Sequence, residues 1–317
     1  MNLPNKDIHN LIDCLTRSNF SFAIYRLPWT DECYFVMQAT PEAGTLKDIA
    51  ELNGKKGFVI APFHTTEEHP LVLIQPDITA YDWTEIGQAL SSFRYKDAIL
   101  SCKKIPGEAV CPFTEEERYS RYNDAFDRFM EPLQKKAFKK LVLSRPAFHP
   151  LKEDFSPLET FIKACNEYPR MMIYLCHTPT TGTWMGSTPE IILSGHAQNW
   201  NTVALAGTMA ITENQESAEW SDKNKEEQAL VAEYIRKIVK KHGRKMTEKG
   251  PYTARAGQLV HLKTDFLFQQ KDTKSLGNLL NELHPTPAIC GLPKAEAYQF
   301  ILEHEGYDRR YYSGFVG

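Results

Sequence analysis

Lys140, Glu190 and Glu227 stand where the sequence offers base, acid and cation-binding chemistry. Lys140 lies in Lys139–Arg145, KKLVLSR, whose apolar centre Leu141-Val142-Leu143 predicts a short strand. Strand alternation puts Lys140, Val142 and Ser144 on one face, with Leu141, Leu143 and Arg145 on the other. If the first face is enclosed, loss of water pulls the amine from its usual ~10.4 toward the ~7–8 that suits a general base. The alternative is a strand-end lysine with its head in solvent.

Glu190 closes Gly186-Ser187-Thr188-Pro189-Glu190. The proline holds Thr188 extended and the glycine admits close approach of another group, so Glu190 projects from a stiff bend beside Ile191-Ile192-Leu193. A carboxyl in such a place is pushed upward and can donate a proton near neutral pH; the alternative is an exposed strand-end glutamate. Glu227 sits on a helix predicted to open near Ser221, one turn before Val231, so its carboxylate extends the apolar stripe of Val231, Tyr234 and Ile238. Buried carboxylates need a partner, and oxygen ligands suit a hard divalent cation. The competing explanation is a glutamate favoured by the helix dipole.

Three further segments could touch a ligand. Ala204-Leu205-Ala206-Gly207-Thr208 is a run of small residues in a strand, where a ligand could reach backbone N–H groups and the Thr208 hydroxyl. His261 lies in an apolar strand, Leu259-Val260-His261-Leu262, a setting that also suits a satisfied core histidine. Leu283–Pro293, LHPTPAICGLP, is a double-proline loop feeding a helix whose N-terminus suits an anion or simply packs.

The elements that must hold these residues can be read around them. A surface helix is expected over 6–18, then strands at Phe20–Leu27, Cys33–Gln38, Gly57–Pro62 and Leu71–Gln75. Thr114 opens a helix with a capping box to Glu117, and its Tyr119, Tyr122, Phe126, Phe129 and Leu133 fall at helical spacing as a core stripe. Ser156 with Pro157 and Glu159 starts another helix. Strands are expected at Met171–His177, Thr183–Leu193 and Asn201–Ala210. Runs of strands followed by runs of helices predict an α+β fold with antiparallel sheets.

Composition narrows the classes. A net charge of -3 and a pI near 6.4 argue against nucleic-acid and polybasic membrane roles. No apolar run approaches the ~18–20 residues of a membrane span, and the N-terminus lacks a signal-peptide core. The 7 cysteines (14, 33, 102, 111, 165, 176 and 290) form no C-x-x-C pair, so buried thiols in a reducing cytoplasm are expected rather than disulfides or a zinc site.

The segments KLVLSR, GSTPE, LAGT, KNKEEQ, VHL, HPTPAICG and RRYYSGFVG occur in the order found in the chorismate-utilising enzymes. The chain resembles that family (isochorismate, anthranilate, aminodeoxychorismate and salicylate synthases) over roughly residues 114–317, with 1–113 a variable part of the same single domain. The resemblance implies two packed, largely antiparallel sheets flanked by helices, with the site in a deep cleft. It implies Lys140 as the base that activates water for attack at ring carbon 2, and Glu190 as the acid for the departing carbon-4 hydroxyl. It further implies Glu227 as a ligand of Mg2+ against the ring carboxylate. Ala206, Gly207, Thr208, His261, Ala288 and Tyr312 are the implied substrate contacts.

Within the family, lysine at 140 disfavours an ammonia nucleophile, because anthranilate synthases usually carry glutamine there. Ala206 cannot form the covalent adduct of the aminodeoxychorismate synthases, which place a lysine at that position. The resemblance is therefore nearest to isochorismate synthase of a menaquinone or siderophore pathway, with salicylate synthase or a non-catalytic chorismate-binding relative as alternatives. A cytoplasmic enzyme without an amidotransferase subunit, monomeric rather than oligomeric, is expected. The sequence stops at Gly317, where relatives continue with strands that carry a substrate arginine, a glycine-rich loop and a second metal-binding glutamate. These strands are therefore expected to be missing, leaving a sheet edge without its partner.

Overall fold

The computed structural model describes residues 4–100, 113–210 and 219–317. In chain order, α1 (Lys6–Leu15) is followed by β1 (Phe22–Arg26), β2 (Tyr34–Met37), β3 (Gly44–Leu46), a 3-10 turn at Ile49–Leu52, β4 (Phe58–Ala61), β5 (Leu71–Ile74) and β6 (Ile78–Tyr81). Next come α2 (Asp82–Ser91), α3 (Lys96–Leu100), α4 (Glu115–Gln134), β7 (Lys140–Leu141), α5 (Pro157–Glu167), β8 (Met172–Thr178) and β9 (Gly182–Thr188). The remainder is β10 (Ser194–His196), β11 (Asn199–Ala210), α6 (Asp222–His242), β12 (Gly243–Ala256), β13 (Leu259–Gln270), α7 (Leu276–Leu283), β14 (Gly291–Leu292), α8 (Lys294–His304) and β15 (Phe315–Val316).

The helices begin where their caps predict. Thr114 and Glu117 form the reciprocal capping box of α4. Ser156 accepts from the Glu159 N–H ahead of α5, and Ser221 from the Asn224 N–H ahead of α6.

All strand pairs are antiparallel, as an α+β reading requires. The strands form a five-stranded sheet β6-β2-β1-β8-β9, two four-stranded sheets β15-β4-β5-β3 and β10-β11-β13-β12, and the small ladder β14-β7. The five-stranded sheet is buried on both faces. Phe22, Ile24, Phe35 and Leu175 pack under α1, α2, α3 and α5, while Ala23 and Cys176 meet Phe58, Ile60, Val72 and Ile74 of the β4-β5 sheet. The third sheet carries α6 and α7 over Ala204, Ala206, Phe266 and Phe268.

Two local expectations fail. The aromatic stripe of α4 is not core: Tyr119 is 69% and Phe126 45% exposed, and only Ala125 and Phe129 are buried. Helical spacing tells which residues share a face, not whether another element covers it. The strand expected over 139–145 is in a ladder only at Lys140–Leu141.

The described cysteines 14, 33, 165, 176 and 290 form no disulfide; Cys102 and Cys111 lie outside the described residues. Among the described residues no helix is long and apolar enough to cross a membrane.

Candidate active site

Lys140 is held by the β7–β14 ladder, where it lies opposite Leu292. Backbone bonds from Lys139 N to Leu292 O and from Val142 N to Cys290 O, each 2.9 Å, fix the strand on either side of it. Its side chain is 12% exposed and its Nζ donates to Glu227 Oε1 at 2.6 Å. The sequence led us to expect an amine walled by apolar groups; the structure gives it a carboxylate partner in a short, charge-assisted contact. Glu227 reaches it from α6, and its side chain is 31% exposed.

Glu190 lies just past β9, since Pro189 has no N–H to continue the expected strand toward Leu193. Thr286 Oγ1 donates to its Oε1 at 3.2 Å. Burial pushes the Glu190 carboxyl up to about 7, against the opposing pull of the Thr286 hydroxyl and the Lys140 charge. The Thr286 loop that holds this carboxyl runs into β14, whose Leu292 pairs with Lys140, so one loop joins the two segments. The stiff-bend argument from sequence therefore corresponds to an acid that holds its proton to near neutral pH.

The small-residue run of β11 contains a bulge. Ala206 pairs with Leu262 and Thr208 with His261, leaving Gly207 between them at φ 72°. A side chain there would crowd Asn224 of α6, with a Cβ only 3.2 Å from its carbonyl oxygen. The bulge turns Thr208 to His261, whose Nδ1 lies 3.1 Å from Thr208 Oγ1. Burial lowers the His261 imidazole below its usual value, with the Gly207 backbone acting the other way. The bulge beside Thr208 thus packs against Asn224, in the α6 turn just before Glu227.

The other expected contacts divide. Ala206 is buried in the core under α6, and its N–H is taken by Gln228 Oε1 at 2.8 Å, so it offers no free donor. Ala288 is partly buried against the same core. Tyr312 is 56% exposed in the turn before β15, and among the described residues its phenol makes no hydrogen bond to the Lys140–Glu190 group. At the α8 N-terminus, Lys294 Nζ donates to the carbonyls of Glu282 and His284 at 2.9 and 2.7 Å.

Two residues went unnoticed in sequence. Gln228, 1% exposed, gives its Nε2 to Ala204 O at 3.0 Å and Thr264 Oγ1 at 3.1 Å besides accepting from Ala206. It thereby bolts α6, and with it Glu227, to the bulged strand. Thr286 orients Glu190 as described. Both stood inside motifs already quoted, but a hydrogen bond to a distant chain segment leaves no local periodicity to read.

For a cation, the described residues contain no cluster of three or more His, Cys, Asp or Glu side chains. The donor set is one carboxylate, Glu227, whose Oε1 accepts from Lys140 Nζ at 2.6 Å. Mg2+ is commonly held by one or two carboxylates with water and substrate oxygens, so Glu227 fits as a single protein ligand and not as part of a protein cage. Two hollows, of about 440 Å³ beside Phe63, Lys294 and Tyr298 and about 460 Å³ beside Trp200 and Leu267, include none of these residues.

The chain is 30% identical over 188 residues to the salicylate biosynthesis isochorismate synthase of Pseudomonas aeruginosa, covering 57% of this chain and 39% of that protein. It is 31% identical over 142 residues to the vibriobactin-specific isochorismate synthase of Vibrio cholerae, covering 42% of this chain and 36% of that protein. The matched stretches thus span well under half the length of these relatives.

In fold, the chain is similar to DhbC of Bacillus anthracis (TM-score 0.73, 19% identity, 98% of this chain and 84% of that one). It is also similar to the menaquinone-specific isochorismate synthase MenF of Escherichia coli (TM-score 0.65, 18% identity, 100% and 80%). The family described as chorismate binding enzyme matches residues 58–317, from β4 through the Lys140, Glu190 and Glu227 segments to the last residue. The chain belongs to the chorismate-binding enzyme family.

Proposed function

We propose that the protein is an isochorismate synthase, interconverting chorismate and isochorismate by water attack at carbon 2 and loss of the carbon-4 hydroxyl. The observation that carries this reading is Glu190, a partly buried carboxyl held by the Thr286 hydroxyl and pushed up to about 7 by desolvation, with Lys140 on the strand paired to the end of the Thr286 loop. An acid and an amine set together in this way suit a reaction in which one oxygen must lose a proton and another must gain one. Relatives named isochorismate synthase among the sequence matches support the same choice.

In this mechanism Glu190 donates its proton to the departing hydroxyl, and Thr286 keeps the carboxyl aimed. Lys140 takes the proton of the attacking water as a neutral amine, so its ammonium first gives a proton to solvent as its Nζ leaves the ion pair with Glu227. Thr208 and His261, at the bulge beside α6, orient the substrate's carboxylate and ring. Glu227 would hold Mg2+, whose chemistry when bound is to neutralise the ring carboxylate.

The test is incubation of the intact chain with chorismate and Mg2+, without glutamine or ammonia, and separation of the products. Isochorismate is the expected product. Salicylate in its place would make the protein a salicylate synthase, and unchanged chorismate bound to the protein would make it a binding relative.

A further inference from the structure

Arg309 and Glu305, in the stretch between α8 and β15, have no part in the proposed mechanism, yet they are 4% and 5% exposed. Their side chains meet twice, Nε to Oε2 and Nη2 to Oε1, each at 2.6 Å. A buried ion pair of this kind adds little stability compared with apolar side chains of similar volume. Its other contacts are therefore informative.

Every remaining bond reaches one of two segments. Arg309 Nη2 donates to Val142 O at 2.8 Å, and Glu305 Oε1 accepts from both Ser144 N and Ser144 Oγ at 2.8 Å. These groups lie on the strand of Lys140 just where its ladder with β14 ends. Arg309 Nη1 donates to Ile289 O at 2.9 Å, in the loop that carries Thr286 against Glu190. The guanidinium is braced from behind by Phe63, with its carbon 4.4 Å from the ring centre. The Ser144 hydroxyl is itself held by the Tyr307 hydroxyl at 2.6 Å.

We propose that the Arg309–Glu305 pair is a positioning device that sets Lys140 and Glu190 at their working separation. It does so by clamping the end of the Lys140 strand and the Thr286 loop to one rigid ion pair. In a longer strand, ladder bonds would do this; here β7 stops at Leu141 and two side chains supply the missing partners. A displacement of about 1 Å between reacting groups can cost on the order of 100-fold in rate, so the clamp is felt in turnover even though neither residue touches substrate.

This inference rests on the roles proposed for Lys140 and Glu190, so its test includes a measurement that needs no turnover. The variant is Glu305→Met with Arg309→Met, an apolar exchange that such pairs usually tolerate. The expected result is a folded protein with a lowered melting temperature, because the Ser144 N–H and the Val142 and Ile289 carbonyls lose their partners, a kcat lower by about 10- to 100-fold and a KM changed by less than about 3-fold. The carboxyl titration of Glu190, followed by carbon-13 NMR, should move upward from about 7, because Lys140 and Thr286, which both hold it down, are no longer fixed.

Unchanged kcat and an unchanged Glu190 titration in the folded double variant overturn the proposal. If the double variant does not fold, Ser144→Ala replaces it. That change removes only the hydroxyl bonds to Glu305 and Tyr307, and it should move the same two readouts in the same directions by less. Its indifference in both would likewise overturn the proposal. A parent that turns over no chorismate refutes the functional reading and leaves the titration to decide this one.

Discussion

Replacing Glu190 by glutamine separates the acid's chemistry from its shape. Glutamine keeps the acceptor for Thr286 and loses only the titration. The carboxyl is raised from 4.5 to about 7 by burial, so between those pH values the folded protein holds a proton that the unfolded chain releases. The stability linked to this group is therefore complete below pH 4.5 and is lost as pH rises through 7. At about 1.4 kcal/mol per pH unit, the parent forfeits roughly 3 kcal/mol across the window.

Glu190→Gln should accordingly match the parent at pH 4.5 and exceed it by about 3 kcal/mol at pH 8. With an unfolding entropy of about 2.1 cal/mol/K per residue, that is a rise of about 4–5 °C in melting temperature. Urea unfolding of both proteins at several pH values measures it, and subtraction removes every other titrating group. A difference that stays constant with pH, or a parent more stable than the variant at pH 8, would mean that Glu190 is an ionised partner of Lys140. The acid role would then be refuted.

Four further outcomes follow from the structure. Gln228→Leu strands the Ala206 N–H, the Ala204 carbonyl and the Thr264 hydroxyl in the core, and should cost about 3 kcal/mol or more in urea unfolding. Lys140→Met should lower kcat by about 100- to 10,000-fold, as expected for loss of a general base. Combined with Glu227→Gln in a double-mutant cycle, it should reveal a coupling of about 1–3 kcal/mol, read from denaturant unfolding. Gly314→Ala places a Cβ only 1.8 Å from the Ala61 carbonyl oxygen, so β15 must leave β4. Faster exchange of the Val59 amide, which now bonds to Gly317 O at 2.7 Å, is the check.

What could be read in the sequence was local. The caps at Thr114 and Ser156 announced their helices because a cap is a contact between residues three apart. The setting of Glu190 was legible for the same reason, since the proline and the apolar run that shape it are its immediate neighbours. The partners of Lys140 were not: Glu227 is 87 residues away, and no spacing rule connects a strand lysine to a helix glutamate at that distance.

The KKLVLSR strand was read too long because an apolar alternation looks the same whether ladder bonds or side chains hold its end. Here Arg309, 167 residues on from Val142, does part of that holding. The α4 stripe failed in the opposite direction: its periodicity is real, but Tyr119 and Phe126 stay 69% and 45% exposed. Long-range polar contacts and the covering of a face are properties of the assembled sheets, and a single sequence carries neither.

An isotope experiment distinguishes whether Lys140 directs water onto the ring while Glu190 releases the leaving hydroxyl. Chorismate is incubated with the intact protein and Mg2+ in water enriched in oxygen-18, and the product is analysed by mass spectrometry. The expected product is isochorismate carrying one solvent oxygen, placed at carbon 2, with the label lost together with turnover in Lys140→Met. Isochorismate formed without solvent oxygen, or with the label unaffected by that substitution, would contradict these roles.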